Sequence, residues 1–104
     1  MGENQLEGLT IAFIGGGAMA GAMIHALLAD GKVTAAQIRV GEPLEERRRE
    51  LATLANVQAT ADNVAAAESA DIVILAVKPQ IVPLVLPELC GHLQPRALVM
   101  SIVA

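Results

Sequence analysis

Aromatic residues are almost missing: the chain has one Phe and neither Trp nor Tyr. Stacking on bases, the usual sequence-tolerant grip on single-stranded nucleic acid, is therefore excluded. Basic charge is also scarce. Seven Lys and Arg stand against eleven Asp and Glu, for a net charge of −4, and the one basic cluster is Arg47-Arg48-Arg49. No electrostatic footprint for a nucleic acid partner exists. A single cysteine, Cys90, excludes an internal disulfide and a cysteine-rich metal site. No metal is expected, and Cys90 itself is expected to be a buried small hydrophobe; only His92, two residues on, favours a reactive thiol instead. No apolar run has the length of a membrane helix. The polar start Met1-Gly2-Glu3-Asn4-Gln5 lacks the basic region of a secretory signal. No membrane partner and a cytoplasmic location are the resulting expectations.

What is present is Ala, Val, Leu and Ile. The chain is 54% hydrophobic over 104 residues, enough to bury the core of one domain. Apolar runs alternate with helical patterns. Strands are expected over residues 9–14, 38–40, 57–59, 72–77 and 98–103. The first helix spans about 18–30, with Ile24, Leu27 and Leu28 facing inward and Gly31 as its stop. Thr34-Ala35-Ala36-Gln37 suits a short capped turn. The second helix, 44–54, turns Leu51 and Leu54 inward and its arginines to solvent, supported by Glu45 and Arg49 at four-residue spacing. A small Ala-rich helix begins within Thr60-Ala61-Asp62-Asn63, and Pro79 suits a helix start, with Pro83 and Pro87 bending or interrupting the helix beyond it. The β-branched run 72–77 fits a parallel strand buried on both faces. This order predicts an α/β fold, a Rossmann-type doubly wound parallel sheet, with residues 1–104 forming one domain.

The stretch Leu9-Thr10-Ile11-Ala12-Phe13-Ile14-Gly15-Gly16-Gly17-Ala18-Met19-Ala20-Gly21 carries the chemistry. A strand meets a glycine turn and then a helix start, in the pattern G-x-G-x-x-A. Glycine lets the backbone bend sharply and approach a diphosphate, and the helix start offers unpaired N–H groups and the positive end of its dipole. A glycine-rich turn of any α/β protein is the plainer alternative. In this fold a ligand lies beyond the carboxyl ends of the strands, where strand order reverses. The bend Ala76-Val77-Lys78-Pro79 should therefore face the glycine turn across the ligand. Lys78 either reaches ribose hydroxyls or phosphate there, or is a solvated lysine at a strand end. Glu42 follows the second strand, 22 residues after Ala20. It accepts from the ribose hydroxyls of NAD, or yields to Arg47 or Arg48 holding the extra phosphate of NADP, or merely favours the start of the second helix. Replacing Glu42 by Ser is expected to shift preference toward NADPH. Asn63 either contacts the adenosine ribose or caps a helix. Met19 and Met23 are expected against the sheet or at the ligand's edge. His25 and His92 are expected to be structural or exposed, and no acid–base pair or partnered nucleophile is visible.

The glycine stretch resembles the opening of pyrroline-5-carboxylate reductase, and so does Asp71-Ile72-Val73-Ile74-Leu75-Ala76-Val77-Lys78-Pro79-Gln80. Ala59-Thr60-Ala61-Asp62-Asn63 and Ser101-Ile102-Val103-Ala104 add to the likeness, which runs from about residue 9 onward. The resemblance implies reduction of the C=N bond of the small-molecule substrate 1-pyrroline-5-carboxylate to proline with NADP or NAD as cofactor. It implies a pyrophosphate over residues 15–19, beside Ile14, with residues 77–79 near the nicotinamide half and Asn63 near the adenosine ribose or its phosphate. It also implies a helical second domain that forms a homo-oligomer and supplies most of the substrate pocket. Residues 98–104 read as a core strand at which this chain stops, so a longer protein is expected, and no catalytic residue is assigned within it. Two departures are Ala18, where the family commonly has a polar residue, and Glu42, where many NADPH-preferring members have a small hydroxyl residue. A non-catalytic dinucleotide sensor and a related hydroxy-acid dehydrogenase are the alternative functions.

Overall fold

A computed structural model describes residues 4–102. Five strands, β1 (Ile11–Ile14), β2 (Ile38–Gly41), β3 (Gln58–Thr60), β4 (Ile72–Leu75) and β5 (Leu98–Ser101), form one sheet in the order β3-β2-β1-β4-β5. Every pairing is parallel. The helices between them are α1 (Ala18–Ala29), α2 (Glu45–Ala55), α3 (Asn63–Ala67) and α4 (Val82–Leu89), with a 3-10 turn over Ala35–Gln37. The sequence-based fold class is the observed one.

Alternation along the central strands divides the core. Ile11 and Phe13 of β1 point to one face, where Ile24 of α1 and Leu51 of α2 cover them together with Ile38, Val40 and Ile74. Ala12 and Ile14 point to the other, where Val73 and Leu75 of β4 meet Ala66 and Ala67 of α3 and Val85 and Leu89 of α4. A strand buried on both faces has no room for polar side chains, which is why β1 and β4 read as unbroken apolar runs. Phe13, the lone aromatic, is fully buried.

Local chemistry sets the boundaries. Gly31 adopts φ +73° just past α1, as its assignment as a stop requires. Gln37 accepts from the Thr34 N–H at 2.9 Å and donates to the carbonyls of Leu6 and Leu9, so the capped turn also pins the approach to β1. Asp62 caps α3 by accepting from the amides of Val64 and Ala65, which removes the cap alternative for Asn63. Pro79 does not start α4. The helix begins at Val82, and Pro83 occupies its first turn, where a missing N–H costs nothing; Pro87 lies inside it.

Other expectations fail on tertiary grounds. Leu54 is 66% exposed, and Ala55, four residues after Leu51, takes the inward position. Cys90 is exposed at the end of α4 rather than buried. The strand expected over 72–77 stops at Leu75, and Ala76 and Val77 form the start of the bend after it. β5 is no core strand: it is the sheet edge, exposed at all four residues. Val103, expected to end that strand, lies outside the described residues. Among the described residues no helix is long and apolar enough to cross a membrane.

Candidate functional site

The sheet order places the reversal between β1 and β4, whose next connections run to opposite sides. Ligands of doubly wound sheets bind at that point, beyond the carboxyl ends of the strands. The chain segments that leave these two ends are the glycine turn and the 76–79 bend. They are held edge to edge by the Ala76 N–H, which donates to the Ile14 carbonyl at 2.8 Å.

The three glycines have different reasons to be glycine. Gly15 has φ +100°, and a Cβ there would stand 2.8 Å from the Ala76 carbonyl oxygen and 2.9 Å from a Val77 methyl. It joins the two strand ends. A Cβ on Gly16 would stand 2.8 Å from a Leu51 methyl, so Gly16 lets α2 close over the turn. Gly17 differs: its φ of −73° suits any residue, and a Cβ would meet nothing within 4 Å. The protein itself leaves the space above Gly17 open. Beside it, α1 begins without a side-chain cap and without an acidic residue in its first turn. Unpaired amides and an uncompensated positive dipole end therefore border the space a side chain at 17 would fill. That cradle fits a diphosphate.

Concavities flank the cradle. One of about 210 Å³ is lined by Gly17, Ala18 and Met19 on one side and by Ala76, Val77, Lys78 and Ile102 on the other. Another, about 390 Å³, opens from Gly17 and Ala18 toward Glu42 and Arg47. A third, about 360 Å³, contains Gly15, Gly41, Asn63 and Val77. Of the residues singled out in the sequence, Ile14, Gly16 and Pro79 line none of these three, and Ile14 takes part through its carbonyl, which accepts from Ala76. A larger concavity, about 480 Å³ at the β3 edge beside Arg39 and Ala52, is remote from the strand ends that carry the glycine turn.

Glu42 is where the sequence places it, at the end of β2, but its carboxylate points inward. It is 7% exposed; Oε1 accepts from the Gly16 N–H and Oε2 from the Leu44 N–H, each at 2.9 Å. Leu44 precedes α2, so the carboxylate ties the glycine turn to the start of that helix. Asn63 packs against Gly41, and its Oδ1 is buried without a hydrogen-bond partner. A buried orphan acceptor at a concavity is what a ligand donor would satisfy. Lys78 is exposed.

The arginines depart from the expected solvated face. Only Arg49 follows it, pairing with Glu45 at 2.9 Å in the open. Arg48 donates to the carbonyls of Glu42 and Pro43, at 2.8 and 2.9 Å. Arg47 reaches across to the glycine turn, donating from Nε to the Gly16 carbonyl and from Nη2 to the Gly17 carbonyl. The sequence held one signal for this: Gly21, a glycine inside α1 that leaves room for the Arg47 guanidinium. Among the described residues no group of three or more His, Cys, Asp or Glu is placed to hold a metal ion.

A glycine cradle at the switch point of a five-stranded parallel sheet defines a dinucleotide-binding α/β domain. The chain belongs to the family described as NADP oxidoreductase, coenzyme F420-dependent, which matches residues 10–104. It is 43% identical over 94 residues to a pyrroline-5-carboxylate reductase of Pseudomonas aeruginosa, covering 90% of this chain and 34% of that protein. A pyrroline-5-carboxylate reductase of Haemophilus influenzae is 47% identical over 83 residues, covering 80% and 28%. Among solved structures, a pyrroline-5-carboxylate reductase from Coxiella burnetii superposes with a TM-score of 0.86 at 34% identity, over 92% of this chain and 36% of that one. The resemblance read from the sequence therefore holds. The chain spans about a third of the length of the curated relatives it matches.

Proposed function

We propose that this chain is the cofactor-binding domain of a pyrroline-5-carboxylate reductase and holds NADH or NADPH. The open space above Gly17, bordered by the uncapped start of α1 and faced by Val77 and Lys78, carries the proposal. The amides of residues 17–19 hold the diphosphate, and the 76–79 bend borders the nicotinamide half. Asn63 donates to or accepts from the adenosine ribose through its free buried oxygen and amide group. Glu42, with both oxygens engaged, acts on the turn rather than on the ribose.

The bound dinucleotide supplies a hydride for reduction of a C=N bond, which relieves the protein of the hardest chemistry. What these residues contribute is binding, orientation and a wall: Met19, Val77 and Ile102 present apolar surface beside Lys78. In the whole protein, further residues hold 1-pyrroline-5-carboxylate and protonate its nitrogen, and a homo-oligomer forms through a helical region. A cytoplasmic location accompanies this biosynthetic role.

Calorimetry of the 104-residue chain with NADH and NADPH tests the binding step. Saturable binding of at least one nucleotide is expected, and binding of neither overturns the proposal. For the longer protein, proline-dependent or pyrroline-5-carboxylate-dependent turnover of the nicotinamide is expected; its absence would remove the reductase assignment and leave the binding domain.

A further inference from the structure

We infer that Arg47 is a positioning residue for the diphosphate cradle and not a ligand of the NADP 2′-phosphate. The inference rests on the proposed nucleotide site. All three arms of the guanidinium are engaged: Nε donates to the Gly16 carbonyl, Nη2 to the Gly17 carbonyl at 3.1 Å, and Nη1 to Glu50 at 3.0 Å. Glu50 balances its charge, and each of the three guanidinium nitrogens already has an acceptor within the protein. The peptide bonds of the described residues are all trans. In a planar trans peptide, the carbonyl of one residue and the N–H of the next point in opposite directions. Arg47, by drawing the Gly16 carbonyl toward α2, turns the Gly17 N–H the other way, toward the open space of the cradle. Its hold on the Gly17 carbonyl, which also accepts from the Gly21 N–H at 2.9 Å, does the same for the Ala18 N–H. Glu42 completes the arrangement from the other side of Gly16 by accepting its N–H. One residue of the turn is thus gripped at both its donor and its acceptor, by side chains from the end of β2 and from α2.

Gly21 is the counterpart in α1. A Cβ there would stand 2.7 Å from Arg47 Nη2, the far end of a flexible side chain. Glycine weakens a helix interior relative to alanine, so Gly21 keeps a place for the guanidinium at the helix's expense. Gly21→Ala therefore displaces the guanidinium without damaging the fold.

The test is calorimetry of the full chain, wild type beside Arg47→Met, Arg47→Lys and Gly21→Ala, with NADH and NADPH. The diphosphate is common to both nucleotides. Arg47→Met is expected to weaken both by the same factor, about tenfold, leaving their ratio unchanged. Arg47→Lys, which keeps the charge but loses the fork, is expected to recover only part of that loss. Gly21→Ala is expected to weaken both nucleotides equally while its melting temperature stays level or rises, a split that a purely structural role does not produce. A loss confined to NADPH would make Arg47 a 2′-phosphate ligand and overturn the inference. Unchanged affinities in folded Arg47→Met or in Gly21→Ala would overturn it as well. Should Arg47→Met fail to fold, Gly21→Ala decides alone. Wild-type chain that binds neither nucleotide refutes the site itself, a result distinct from variants that bind as wild type does.

Discussion

The two bends that leave β1 and β4 lie side by side and are built on opposite plans. In the glycine turn every peptide is restrained. Gly15 donates to the Gly41 carbonyl at 2.7 Å, Gly16 to Glu42, and the carbonyls of Gly16 and Gly17 accept from Arg47. The turn has no side chain of its own, so it recognises through backbone amides that must be aimed beforehand. In the bend after β4 the backbone is tied more simply, by the Ile81 N–H to the Lys78 carbonyl at 2.9 Å, while Lys78, Pro79 and Gln80 stand exposed. Here recognition falls to side chains that reach a ligand from solvent. A backbone site depends on its supports; a side-chain site depends on the residue itself.

Gly17→Val puts the contrast to its hardest test. It fills space that the protein leaves open, so affinity for both nucleotides should fall by about a hundredfold or more while the melting temperature moves by less than about 3 °C. Equal binding in a folded variant would make the turn a purely structural one. Gly15→Ala should do the reverse and lower stability by about 2 kcal/mol in urea titration, because φ +100° and the Ala76 carbonyl both oppose a side chain. Glu42→Ser should cost about 1.5 kcal/mol, since it strands the buried Gly16 amide. The NADH-to-NADPH affinity ratio should then change by less than about twofold; a large shift toward NADPH would return the carboxylate to the ribose. Smallest of all, Lys78→Met should weaken nucleotide binding by about threefold, with the effect shrinking as salt is raised. A hundredfold loss there would reverse the ranking of the two bends.

How far the molecule was legible in its sequence depends on where each signal lies. The strand–glycine–helix unit was readable because local rules act on adjacent residues, and the meeting of residues 15–19 with residues 76–78 came from one general rule about switch points. The burial of β4 showed in its own composition. By contrast, α2 has few apolar residues, so Leu54 and Ala55 were told apart only by the helix's actual rotation over the sheet. The roles of Arg47 and Arg48 were hidden for a related reason. A charged side chain on a polar helix reads the same whether it meets water or a carbonyl 31 residues away. β5 reads as a core strand because its residues are apolar, yet it lies at an uncovered edge, and burial at an edge depends on neighbours that periodicity does not name; Cys90 stands just past the end of α4, beyond the buried Val85 and Leu89.

The lone aromatic, Phe13, sealed beneath α1 and α2, has an optical consequence. With neither indole nor phenol in the chain, the polypeptide is nearly silent in near-ultraviolet emission. A tryptophan placed at exposed Met19 becomes the sole indole of these 104 residues, lying at the mouth of the cradle, and energy transfer from it to a reduced nicotinamide reports occupancy of this domain.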